Sequence, residues 1–322
     1  MAGVTAPPSR PMLGGFLTRA TGTGPGTGSR WARLAGDHRG LLFVAPFILF
    51  FLAFMLAPVG YAIYTSLFTS KLIGGTRFSW FANYSQVLTS GEFWAGVERV
   101  LVFWVIQVPV TLALAFFFAV IFDLGLAKLG RFFRLVFFLP FAVPAVVASV
   151  MWSFLLVPDF GPYARLAAAL GFPGTNYFSP GLILPTVIVI VVWEFTGYNM
   201  IILYTALKAV PKDVLYAAAI DGAPLWKVIL KVKLPMIRPA VVMLIFLNTI
   251  GALQLFTEPM ILATFQPQAI SFGFTPTIFV YNTSIGNGEY NLGAAAAVVL
   301  GLVIFAISVG SRAFFRRKRE AA

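Results

Sequence analysis

Apolar runs long enough to cross a lipid bilayer recur six times along this chain. They cover about 41–68, 100–122, 133–157, 181–207, 240–263 and 291–313. A helix needs roughly 20 apolar residues to traverse the hydrocarbon core. The runs are continuous rather than alternating, which predicts membrane helices and not a barrel. Several contain Pro or Gly, such as Pro140 and Pro144 in the third. Neighbouring helices can re-satisfy the backbone groups that those residues free. Two connections, 80–99 with Trp80, Phe81, Phe93 and Trp94, and 160–171, read as short interfacial helices.

One connection is different in kind. Pro211 to Pro239 reads PKDVLYAAAIDGAPLWKVILKVKLPMIRP, a polar island between two greasy runs. Pro211 suits a helix start, and Ala217, Ala218 and Ala219 make a narrow face that another backbone can approach. Gly222 permits the positive φ that follows a helix end. Pro224 suits the first position of a second helix, and Asp221 is placed to accept backbone N–H groups from that start. Leu225, Ile229 and Val232 recur at helical spacing, with Lys227, Lys231 and Lys233 expected off that face. The prediction is a basic, amphipathic helix-turn-helix over 208–239. Capping the bundle against lipid headgroups is the plainer use of such an element.

Composition sharpens the membrane reading. Of 322 residues, 59% are hydrophobic and 11% charged, well below the roughly 25% charged of soluble domains. The net charge is +12. Basic residues of membrane proteins gather in cytoplasmic loops. Nineteen of the 23 Lys and Arg fall in the N-terminal segment, in 128–134, in 208–238 and after 311. Lys71, Arg77, Arg99 and Arg165 form the opposite set. This asymmetry predicts both termini and the 208–239 loop on the cytoplasmic side. Residues 1–40 are rich in Gly, Thr, Pro and Ser and are expected to form a disordered cytoplasmic tail. Residues 41–90 then hold the first span and its outer connection, 91–315 the main transmembrane domain, and 316–322 a basic cytoplasmic tail.

Little in the chain favours an enzyme. There is no cysteine, and the one histidine is His38. No P-loop pattern and no zinc-binding pattern occurs. Nucleic-acid binding could explain the charge but not the apolar content. Neither a metal nor a cofactor is expected in the chain itself.

The polar island carries a family resemblance. Ala217-Ala218-x-x-Asp221-Gly222-Ala223, with Leu234-Pro235 twelve residues beyond Gly222, resembles the EAA loop of ABC importer permeases. Pro211-Lys212 upstream and Arg238-Pro239 downstream resemble its carbohydrate-uptake branch, the maltose-type and glycerol-phosphate-type permeases. Two positions depart from the pattern: Tyr216 stands where the family has Glu, and Ile229 where Phe is frequent. The first change puts in question an ionic contact to a partner. The resemblance covers roughly 90–312. It implies an all-α integral membrane fold of six transmembrane helices, N-in and C-in, with an EAA-type coupling helix-turn-helix. It implies a second permease subunit, two cytoplasmic ATPase subunits that hold ATP and Mg, and an extracytoplasmic solute-binding protein.

Polar residues inside the spans are the candidates for the solute path. An ionisable group at mid-depth is costly and faces the interior or a cavity. Glu194 is such a group, with Tyr198 four residues on and Asn199 beside it; Asn248, Gln254 and Glu258 lie in the fifth run. Helical spacing puts Glu194 with Tyr198, and Gln254 with Glu258, on common faces. Residues 253–259 also resemble the fifth-span region that lines the sugar path in the family. Amide, carboxylate and aromatic groups suit a polyhydroxylated solute. Asn248 and Gln254 serve equally as interhelical glue, and Glu258 equally as a solvated outer residue. No Lys or Arg lies deep in the spans, which favours a neutral sugar. An ion-gradient-driven transporter and a non-transporting membrane scaffold are the competing expectations.

Overall fold

The structure is a computed structural model that describes residues 38–71, 75–158, 161–172 and 176–320. Except for 38–40, the expected tail 1–40 lies outside the described residues. The chain separates into two units, Met1–Pro58 and Val59–Ala322.

In the first unit α1 (His38–Phe51) runs into a π-helical turn at Leu52–Leu56. From Phe43 onward its large side chains, among them Phe43, Phe47 and Phe54, are exposed. Exposed apolar side chains of this density belong in lipid or against a partner.

The second unit begins within α2 (Ala57–Ser66). A short antiparallel hairpin follows, β1 (Phe68–Lys71) with β2 (Gly75–Phe78). Then come α3 (Ala82–Leu88) and α4 (Gly91–Asp123). The connection at 80–99 is therefore not one interfacial helix. It splits at Ser90, whose Oγ caps α4 by accepting from the Phe93 N–H at 3.3 Å. Arg99 is half-buried and donates to the carbonyls of Gly273 and Phe274.

The third apolar run is the clearest departure. It forms α5 (Gly130–Ala142) and α6 (Ala145–Leu155), bent by 96° rather than one straight span. Pro144 causes the break. Val143 before it is extended, at φ −78° and ψ 128°, as the clash with a proline ring demands. The expected interfacial helix at 160–171 is α7 (Pro162–Ala169). The fourth run is α8 (Ile183–Lys208), uninterrupted and the most deeply buried of the spans.

Past α8 the polar island forms α9 (Lys212–Ile220), then a helical stretch over 225–236. That stretch comprises α10 (Leu225–Lys227), a π turn (Val228–Lys233) and α11 (Leu234–Met236). The fifth run is interrupted. Its first part is α12 (Arg238–Leu253), its second α13 (Thr257–Phe265). Pro259 explains the break, because a proline removes one backbone donor and clashes with the carbonyl four residues back. That carbonyl, of Leu255, is re-satisfied by the Thr277 hydroxyl at 2.5 Å. A short helix α14 (Pro276–Tyr281) and the last helix α15 (Tyr290–Glu320) complete the chain. The basic residues Arg316, Arg317, Lys318 and Arg319 continue α15.

By length and composition the described residues hold five helices able to cross a membrane, or six with the bent pair as one. Small residues let the spans approach. Ala115 and Ala119 of α4 meet Met200 and Leu203 of α8 in one cluster, which Val210, Ile237 and Leu244 extend. A second cluster joins Phe103, Trp152, Val187, Ile190 and Leu262. A third joins Phe93, Phe279, Ala295 and Ala296.

Candidate functional site

The break in the fifth run and the bend in the third frame one polar cavity of about 420 Å³. α4 contributes Phe103 and Gln107, and α5 contributes Phe141. α8 contributes Phe195, Tyr198 and Asn199, α12 contributes Leu247 and Asn248, and the broken stretch contributes Gln254, Phe256, Thr257 and Glu258. Five of the six residues expected along a solute path thus line one space. The sixth, Glu194, is buried one turn away on α8, within electrostatic range of Glu258. Gln254 and Glu258 do not share a face of a continuous helix as their spacing predicts. The chain unwinds between them, and Glu258 enters the first turn of α13. A carboxylate is favoured there by the helix dipole. Glu258 is buried rather than solvated.

The hydrogen bonds decide what this cavity offers. Asn199 and Asn248 form a reciprocal pair: Asn248 Nδ2 donates to Asn199 Oδ1 at 2.7 Å, and Asn199 Nδ2 to Asn248 Oδ1 at 3.3 Å. Each amide nitrogen also donates to the carbonyl one turn back, of Phe195 and Leu244 respectively, at 2.8 Å. All four amide N–H groups are thereby used. Each side-chain oxygen keeps a free lone pair. With the carboxyl group of Glu258, the pair gives the cavity a set of acceptors. Its aromatic wall is Phe141 stacked on Tyr198, ring centres 4.4 Å apart.

Near this wall, three buried side-chain atoms have no hydrogen-bond partner among the described residues. They are Ser149 Oγ, Trp152 Nε1 and Glu194 Oε2. All three lie on α6 and α8, and Trp152 packs edge-on against Trp193, beside Glu194. Buried polar atoms are rarely left unpaired without a functional reason.

A larger cavity, about 710 Å³, opens between α4, α12 and α15. Its walls are apolar, among them Val105, Pro109, Phe116, Val241 and Ile307. Its one hydroxyl, of Thr249, already accepts from Trp104 Nε1 at 3.0 Å. It offers few polar groups, so the smaller, more polar cavity is the candidate site. Among the described residues no group of three carboxylate or imidazole side chains is gathered to hold a metal ion.

The loop over 208–239 has a defined shape. At the end of α9, Ala223 N–H bonds to Ala218 O at 3.0 Å and Gly222 N–H to Ala219 O at 3.1 Å. Gly222 has φ +69°. This is the Schellman pattern, which stops a helix sharply and turns the chain. Asp221 closes α9 and does not cap the next helix; that expectation fails. Pro224 stands at the cap position itself, one residue before the predicted first turn, with no side-chain cap. Leu215 and Leu234 anchor the loop by packing on the Val210 and Ile237 cluster. Tyr216 and Ile220 face outward, 61% and 86% exposed, with Leu225 and Trp226 also exposed. Ala217 and Pro235 are exposed and Ala218 and Ala223 half-buried. Lys227 and Lys231 are exposed as expected, but Lys233 is buried. It turns inward because its partner is Asp123 at the end of α4. Asp123, Gln107 and Phe141 escaped the sequence reading. The signal for Asp123 was its place as the one acidic residue among Lys128, Arg131 and Arg134.

A family model described as "Binding-protein-dependent transport system inner membrane component" matches residues 112–320. The lactose transport system permease protein LacF of Rhizobium radiobacter is 27% identical over 279 residues, 84% of this chain and 92% of its own. The trehalose transport system permease protein SugA of Mycobacterium tuberculosis is 29% identical over 271 residues, 84% and 86% of the two chains. Among solved structures, a bacterial ABC transporter involved in the import of the acidic polysaccharide alginate superposes with a TM-score of 0.74. The match is at 19% identity and covers 89% of this chain and 98% of that one.

Proposed function

Because the chain belongs to the family of binding-protein-dependent transport system inner membrane components, we propose that it imports a neutral sugar or sugar-like solute as the permease subunit of an ATP-driven ABC importer. The observation that carries the substrate class is the cavity's set of acceptors. Hydroxyl groups donate to the free lone pairs of Asn199 and Asn248 and to the carboxyl group of Glu258, while a sugar ring stacks on the Phe141–Tyr198 wall. A carboxylated or phosphorylated solute would meet Glu258 with no Lys or Arg among the lining residues. This separates the chain from its alginate-importing structural neighbour and sides with the lactose and trehalose relatives.

The chain is a multi-pass inner-membrane protein. The charge asymmetry supports both termini and the 208–239 loop on the cytoplasmic side. In this reading a second permease subunit completes the pore, two ATPase subunits hold ATP and Mg, and a solute-binding protein delivers cargo from outside. The exposed apolar face of Tyr216, Ile220, Leu225 and Trp226 docks on the ATPase, with Tyr216 making an aromatic contact where the family has an ionic one.

Reconstitution with these partners is the test. Uptake of a neutral disaccharide is expected to require ATP and to survive collapse of ion gradients. Uptake lost on dissipating the gradient with ATP present would instead establish a secondary transporter. No uptake of any sugar would leave a scaffold. Preference for a uronate oligosaccharide would refute the substrate class. Gly222→Trp is expected to uncouple the machine, because φ +69° strains any L side chain. Uptake should fall about ten-fold or more, while the ATPases still turn over. Glu194→Gln keeps the shape and replaces the carboxyl group by an amide. It is expected to raise the apparent KM for solute roughly ten-fold with assembly unchanged; an unchanged uptake affinity and rate would remove Glu194 from the solute path.

A further inference from the structure

Among the described residues the protein makes two ion pairs, and both use the same carboxylate. Asp123 is the last residue of α4. Its Oδ1 accepts from Lys208 Nζ at 3.1 Å, and its backbone carbonyl accepts from that same Nζ at 3.0 Å. Its Oδ2 accepts from Lys233 Nζ. The side chain of Asp123 is 5% exposed and that of Lys233 10%, against 50% for Lys208. Water can replace Lys208. It cannot replace Lys233 without leaving a half-paired charge buried.

Three elements therefore meet at one carboxylate: the end of α4, the end of α8, and the π turn of the second loop helix. Stability alone is a weak reason for such a pair, because desolvation offsets much of the attraction. Geometry gives a better one. Leu215 and Leu234 hold the loop by non-directional apolar contact, which lets it slide. A buried, charge-assisted contact fixes distance and direction. Both helices it grips lead to the cavity. Gln107 lies 16 residues back along α4 and Asn199 nine residues back along α8, roughly 24 and 14 Å at the rise of an α-helix. A third arm reaches α5: the Arg134 guanidinium lies 4.5 Å from the Tyr204 ring centre, which Lys208 Nζ also approaches at 5.6 Å. α5 carries Phe141.

We propose that the Asp123–Lys233 pair is the strut that transmits displacement of the 208–239 loop to α4, and through α4 to the solute cavity. The proposal rests on the reading that this loop is where the ATPase docks. Lys233 and Asp123 act as positioning residues; neither touches the solute.

The test uses the whole reconstituted complex and measures solute carried per ATP hydrolysed. Lys233→Met is expected to lower that ratio about ten-fold with basal hydrolysis retained. Lys233→Arg is expected to restore it. Lys208→Met is expected to change it less than about twofold, since α4 and α8 remain packed through Ala115, Ala119, Met200 and Leu203. If Lys233→Met lowers uptake and hydrolysis in proportion, the pair only holds the fold and the strut is refuted. Should Lys233→Met fail to assemble, the double variant Asp123→Asn/Lys233→Met removes both buried charges. Its transport at the wild-type ratio would refute the strut equally, and a ten-fold lower ratio would support it. Failure of the docking reading is seen separately: Gly222→Trp would then leave the ratio unchanged.

Discussion

Gly197→Leu is expected to destabilise the folded protein by about 3 kcal/mol, at the upper end of what overpacking costs. A Cβ built at Gly197 runs into the carbonyl group of Phe137 on α5. That obstacle is backbone, so it cannot rotate aside as a flexible side chain would. The contact is also where α5 and α8 are locked by rings. Phe141, one turn beyond Phe137 on α5, stacks on Tyr198, the residue after the glycine on α8, and Phe137 itself packs on Phe118 of α4 with centres 4.4 Å apart. Separating the helices would open the aromatic wall of the cavity, so solute affinity should fall together with stability. Thermal unfolding in detergent reads the first effect and solute titration the second. Gly301→Ala is the control, because a Cβ there meets nothing within 4 Å. It is expected to stabilise α15 by about 0.5–1 kcal/mol through helix propensity alone. A Gly197→Leu protein that unfolds at the wild-type temperature would refute the close approach of α5 and α8.

The six apolar runs were legible because a span is a composition, and composition survives without knowledge of neighbours. The breaks were not legible as breaks. Pro140 and Pro144 both stand in the third run, yet α5 absorbs Pro140 while Pro144 ends it. The difference shows in the backbone, where Val143 before Pro144 is extended, and the run alone does not say which proline will do this. The same holds for Pro259, where Thr277, 22 residues beyond Leu255, takes up the orphaned carbonyl. Five of the six candidate path residues line one cavity, and four of them are amides or carboxyl groups, which are conspicuous in a greasy run. Phe141 was missed because a phenylalanine among phenylalanines is not. Asp221 was misassigned because an acidic residue before a helix start reads as a cap, whereas Gly222 already bonds α9 shut and Pro224 takes the cap position. Lys233 was placed on the wet face because helical spacing carries no record of a carboxylate 110 positions away.

Asn199→Leu/Asn248→Leu is expected to yield a protein that folds normally and carries almost no solute. The single variants should behave worse than the pair in stability. Either one leaves the surviving asparagine without its partner on the facing helix, at about 1 kcal/mol. Removing both replaces a matched polar pair by two apolar side chains of similar size, which is close to neutral. The double variant thus separates two roles that the pair combines. As interhelical glue, Asn199 and Asn248 tie α8 to α12, and a leucine pair can do that equally well. As solute ligands they offer two carbonyl lone pairs to hydroxyl donors, and a leucine pair cannot. Uptake is expected to fall about a hundred-fold in the double variant, on the scale set by losing two hydrogen bonds at roughly 1.4 kcal/mol each. Wild-type uptake with restored stability would mean that the pair only holds helices together. Solute recognition would then rest on Gln107, Gln254 and Glu258, whose polar groups face the same cavity without a partner on the neighbouring helix.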